Sequence, residues 1–89
     1  MGLNMPEISR FLGINVRLYY REDGPPHIHA EYSDYEVTVD IETGDVTGTF
    51  PRRAMAALVE WYGMHKEELV AAAQEAATEH QLDWIEPLE

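Results

Sequence analysis

Pro25-Pro26-His27-Ile28-His29-Ala30-Glu31-Tyr32 alternates polar and apolar side chains over the six residues that follow a pair of prolines. In an extended strand, successive side chains point to opposite faces. His27, His29 and Glu31 therefore share one face, and Ile28, Ala30 and Tyr32 share the other. One face is suited to burial and the other to water, which is the pattern of an antiparallel sheet covered on one side. Two imidazoles and a carboxylate together on the wet side make it the candidate working surface.

The flanking segments extend this pattern. Ile14, Val16, Leu18 and Tyr20 alternate with Asn15, Arg17 and Tyr19, and predict a preceding strand. Glu22-Asp23-Gly24-Pro25-Pro26 between them reads as a loop, since Gly admits positive φ and the prolines remove backbone donors. Ser33-Asp34 reads as a turn, followed by Val37, Val39 and Ile41 alternating with Glu36, Thr38 and Asp40 in another strand. Glu42-Thr43-Gly44-Asp45 predicts a tight hairpin with Gly44 at the left-handed position, then a short strand from Asp45 to Phe50 with a bulge at Gly48. Upstream, Ile8, Phe11 and Leu12 fall at helical spacing before Gly13 and predict a short turn of helix over 6–13. Residues 1–4 read as an N-terminal extension of a single domain over 5–89, with Met5 as an alternative start.

After Pro51, which suits a first helical position, the apolar period changes from 2 to 3.6. Met55, Leu58, Val59, Tyr62, Leu69, Val70, Ala73 and Ala77 form the expected buried stripe, with Trp61 at its margin. Gly63 interrupts the run at a cost of roughly 1 kcal/mol relative to alanine. Either one long helix passes through it and bends, or two helices meet at Gly63-Met64-His65; the single helix is favoured. His65 reads as a packing or capping residue unless the fold brings it to the sheet. Trp84, Ile85 and Leu88 of the tail are placed to lie against the core, with a short edge strand as one form this could take. The expected fold is thus α+β: a three- to four-stranded antiparallel meander, packed on one face by a long, bendable C-terminal helix. The open face carries Asn15, Arg17, Tyr19, His27, His29, Glu31, Glu36, Thr38 and Asp40.

Composition narrows the function. The chain has 89 residues, enough for one modest core. It has no cysteine, which removes disulfides, thiolate metal sites and thiol nucleophiles. Seventeen acidic against six basic residues give a net charge of −11, which opposes docking to phosphate backbones or anionic membranes; it serves plain solubility in the simplest reading, and permits a basic protein partner or a metal cation. No apolar run approaches a membrane span, and no secretory leader is recognisable, so a cytoplasmic location is expected.

The residues that could carry chemistry lie on the open face. His27 and His29, at i and i+2, sit roughly 6.5–7 Å apart on a strand, and with Glu31, or with Asp40 of the neighbouring strand, as oxygen ligand they could hold a divalent transition metal such as zinc. The same histidines could act as general acid and base in RNA cleavage, with Arg17 or Tyr19 steadying the phosphate. In the plainer reading they bond the turn backbone and stack on an aromatic neighbour, and Arg17 pairs across strands with Glu31 or Asp40. Arg52 and Arg53 open the helix against its dipole and either meet an acidic partner or pair with local carboxylates.

Met5-Pro6-Glu7-Ile8-Ser9-Arg10-Phe11, Tyr19-Tyr20, the Pro25-Pro26-His27-Ile28-His29-Ala30-Glu31-Tyr32 segment and Pro51-Arg52-Arg53-Ala54 resemble a family of small bacterial proteins, the domain of unknown function 4160 family. Glu60-Trp61, His65, Glu67-Glu68-Leu69 and Ile85-Glu86-Pro87-Leu88 resemble it too, so the likeness runs from Met5 to the C-terminal segment. It carries Pro25, Pro26, His27, His29 and Ala30 over as signature positions. It implies a component of a two-gene, toxin–antitoxin-like module with a small protein partner. The expected role is therefore protein interaction through Arg17, Tyr19, His27, His29, Glu31 and Asp40, with a homo-oligomer as an alternative assembly. A histidine-based ribonuclease or metal-dependent hydrolase at the same residues is the alternative, and an acidic nucleic-acid mimic the weaker one; whether the chain is an enzyme stays open at this stage.

Overall fold

The computed structural model describes residues 6–19, 25–77 and 84–88. The expected extension 1–4, Met5, Tyr20, Glu22-Asp23-Gly24, the side chain of Ala77 and Leu82-Asp83 lie outside the described residues. Among those described, the order is β1 (Glu7–Phe11), β2 (Ile14–Tyr19), β3 (His27–Tyr32), β4 (Tyr35–Asp40), β5 (Val46–Gly48) and α1 (Arg52–Ala77). The strands form one antiparallel sheet in the order β1-β2-β3-β4-β5. The α+β meander with one C-terminal helix is as expected, but it has five strands, not three or four.

The additional strand is β1, where the spacing of Ile8, Phe11 and Leu12 predicts helix. The register slips between Glu7 and Ser9, so an extra residue bulges at Ile8. A bulge breaks the two-residue alternation of a strand. Ile8, Ser9 and Phe11 are all buried as a result, and the apolar spacing of three imitates a helix. Leu12 and Gly13, at φ +51° and +82°, then make the two-residue reversal into β2, the dihedral pattern of a type I′ hairpin turn.

One face of the sheet is apolar. Ile14, Val16, Leu18, Ile28, Ala30, Val37 and Val39 are at most 2% exposed and lie under α1. The buried positions of α1 are Ala54, Leu58, Trp61, His65, Leu69, Ala72 and Ala73, a 3.6-residue stripe. Trp61 is therefore at the centre of the stripe, whereas Val59, expected within it, is about half exposed. The helix continues past Gly63 and is kinked at His65, whose backbone is not helical (φ −120°, ψ 19°).

Trp61 also anchors the C-terminal segment. Its ring lies 5.4 Å from Phe11, and its Nε1–H donates to the Glu86 carbonyl at 2.9 Å. The Ile85 N–H donates to the Ile8 carbonyl at 2.8 Å, and the Ser9 hydroxyl donates to the Ile85 carbonyl at 3.0 Å. The segment thus lies along the β1 edge and partly shields it, a common defence of an open sheet edge. Ile85 is buried and Leu88 packs on the core, but Trp84, expected there, is exposed. No helix among the described residues is long and apolar enough to cross a membrane.

Two glycines give opposite expectations. Gly48 has φ +110°, and a Cβ there would meet the Glu36 carbonyl oxygen at 2.5 Å; Gly48→Ala is expected to cost about 1–3 kcal/mol. Gly63 is helical and open, with nothing within 4 Å of an added Cβ, so Gly63→Ala is expected to gain up to about 1 kcal/mol. Urea unfolding midpoints check both signs.

Candidate functional site: the open sheet face

The hydrogen-bonded register builds the site row by row. Glu31 lies between Asn15 and Glu36, with Arg10 beyond Asn15. In the next row His29 lies between Arg17 and Thr38, with Glu7 beyond Arg17 and Thr47 beyond Thr38. In the third row His27 lies between Tyr19 and Asp40. All nine open-face residues expected from alternation therefore share this face. None of them belongs to the hydrophobic core under α1.

The two histidines have different surroundings. The His27 ring lies 4.5 Å from the Tyr19 ring at 35°, the aromatic contact of the plainer reading. Its cross-strand neighbour Asp40 is committed to the β4–β5 turn. The Asp40 carboxylate accepts N–H bonds from Glu42 at 2.9 Å and Thr43 at 3.0 Å. The Thr43 bond is the largest cause holding this carboxyl below its ordinary range, with help from the Glu42 bond and against partial burial. The Gly44 N–H closes the turn onto the Asp40 carbonyl, and Gly44 takes the expected positive φ of +82°. Tyr62 of α1 clamps the same turn by donating its hydroxyl to the Ile41 carbonyl at 2.6 Å. The Pro26 carbonyl accepts from the Ile41 N–H at 3.3 Å, which ties the start of the signature segment to the end of β4.

His29 instead faces carboxylates. Its Nε2 is 3.5 Å from Glu36 Oε1 and 4.0 Å from Glu31 Oε2. The ligand atoms of His29, Glu31 and Glu36 all lie within 4.8 Å of one another, the one such His/Cys/Asp/Glu group among the described residues. The expected metal set of His27, His29 and Glu31 is thus not what the strands gather: Glu36 takes the place of His27, whose ring sits with Tyr19. The turn expected at Ser33-Asp34 is present; the pairing it imposes is the signal that strand alternation alone did not supply. Reading Ser33-Asp34 as a two-residue turn pairs Tyr32 with Tyr35 and sets Glu31 directly opposite Glu36.

Arg17 sits between His29 and Glu7, and its charge helps lower the Glu7 carboxyl, whose main cause is the bidentate Arg10 pair at 2.8 and 3.0 Å. In the register Arg17 stands directly opposite Glu7 on one side and His29 on the other. Arg52 and Arg53 are exposed in the first turn of α1, which holds no acidic residue. His65, away from this face, is buried against Trp61 with Nδ1 2.5 Å from Glu68 Oε1. That is the packing role expected of it.

The model of a family described as Domain of unknown function (DUF4160) matches residues 13–72, from the β1–β2 turn to the second half of α1. No curated protein and no solved structure matches the chain.

Asp40 gives this face a pH signature. Its folded pKa is lowered, so its contribution is complete above the ordinary value of 3.8 and is lost as pH falls through the lowered value. Asp40→Ala is expected to cost at most about 1 kcal/mol at neutral pH, since the turn is solvent-exposed. Urea midpoints of the two proteins should converge as pH falls below 3.8; a gap unchanged down to pH 2 would contradict the role of the turn bonds.

Proposed function

The chain belongs to the DUF4160 family, and we propose that it is the protein-binding component of a cytoplasmic, toxin–antitoxin-like two-gene module. The open sheet face is its docking surface and a small basic protein its partner. The observation that carries this reading is the block in which Arg17 opposes His29 and Tyr19 opposes His27. Tyrosine and arginine are the residue types on which binding energy concentrates, and here both stand on β2, paired on each side with another strand. Charge selects the partner. Glu7, Glu31, Glu36 and Asp40 outnumber Arg10 and Arg17 on this face, and the whole chain carries −11. A basic surface is steered to it, while a second copy of the same chain or a nucleic acid is repelled.

The same block supports a second reading, in which His27 and His29 exchange protons with an RNA 2′-hydroxyl and leaving group while Arg17 holds the phosphate. Glu31 and Glu36 beside His29 repel that substrate, so docking is preferred.

Calorimetric titration with the purified protein encoded by the adjacent gene tests the proposal. Tyr19→Ala and His27→Ala are each expected to weaken binding at least about tenfold, the loss typical of an interface hot spot. Glu60→Ala, on the exposed side of α1, should leave it unchanged. Binding that ignores the face substitutions would overturn the proposal. RNA cleavage lost in both His27→Ala and His29→Ala would put the second reading in its place.

A further inference from the structure

We propose that His29, Glu31 and Glu36 bind one divalent first-row transition cation of the zinc type on the open sheet face. The site lies within the face proposed for docking, and the metal alone tests it without a partner. The backbone places its three side chains without loops. Glu31 and Glu36 are direct cross-strand partners, and His29 stands two residues before Glu31 on the same face. Like charges directly opposed across strands destabilise a sheet. A dication between them converts that repulsion into two bonds and neutralises both carboxylates.

The distances suit the smaller cations. A tetrahedral ion with bonds of about 2.0–2.2 Å needs ligand atoms about 3.3–3.6 Å apart. His29 Nε2 and Glu36 Oε1 already stand at 3.5 Å, and Glu31 Oε2 at 4.0 Å from the same nitrogen. The side chains of Glu31 and Glu36 are 43% and 63% exposed, so rotamer changes alone can close the set, and the ion can enter from solvent. The His29 side chain is only 21% exposed, which makes it the fixed ligand of the three. Binding needs the neutral imidazole with its proton on Nδ1, leaving the Nε2 lone pair toward the carboxylates. One imidazole and two carboxylates, with no thiolate in the chain, favour zinc and its neighbours. Magnesium prefers an octahedral oxygen shell and dehydrates reluctantly. Three protein ligands leave the fourth position open to water.

Calorimetric titration of the full chain with zinc chloride at pH 7.5 tests the site. The expected result is one ion per chain, with affinity reduced at least about tenfold by His29→Ala and by Glu36→Gln. His27→Ala should leave it unchanged. Glu36→Gln keeps the size of an exposed side chain, so the fold is retained, and far-UV circular dichroism checks this. Absence of binding by the folded wild type, binding that survives Glu36→Gln, or equal loss in His27→Ala would each overturn the proposal. A chain that binds zinc in the expected pattern but no partner protein contradicts the docking proposal alone.

Discussion

The register of β3 with its two neighbours is the constraint on which the rest of the molecule depends. β3 is the middle strand and pairs with β2 and β4 along all six of its residues. A slip of one residue would turn Ile28 and Ala30 out to water and His27, His29 and Glu31 in beneath α1. Fully burying an isoleucine is worth about 1.5–3 kcal/mol, and unpaired polar groups in its place would cost more. Burial of Ile28 and Ala30 on one side therefore aims the histidines on the other. Core and candidate site are two faces of the same alternation.

Within that frame the two histidines separate in role. His27 belongs to an aromatic and turn-associated corner: Tyr19 lies against it and Asp40 opposite, with Asp40 and Tyr62 holding the β4–β5 turn to the sheet and helix. His29 belongs to a carboxylate cluster assembled by β3 and β4. A signature that reads as one motif in the chain thus serves two neighbouring environments. On the far side, Trp61 ties β1, the helix and the C-terminal segment together through its ring contact with Phe11 and its indole hydrogen bond to Glu86.

Strand alternation made β2, β3, β4 and the membership of the open face legible in the sequence, because period 2 is a local property. The Gly44 turn was legible for the same reason. β1 was not: the bulge at Ile8 gives Ile8 and Phe11 a spacing of three, and only pairing with β2 distinguishes that from a helix. The stripe of α1 was legible in Leu58, Leu69 and Ala73, with Met55, Tyr62 and Val70 packed at its edge, but its centre falls on Trp61 and His65 and leaves Val59 exposed, a choice made by tertiary packing. Glu36 was placed on the correct face, but its approach to His29 is set by the β3–β4 register, which the length of one turn decides.

The most direct measurement is the cross-strand nuclear Overhauser pattern of the isotopically labelled chain. Contacts pairing His29 with Arg17 and Thr38, and Glu31 with Asn15 and Glu36, are the expected result. Contacts pairing Glu31 with Tyr35 or Val37 would show a register slipped by one residue, and would contradict both the open face and everything placed on it.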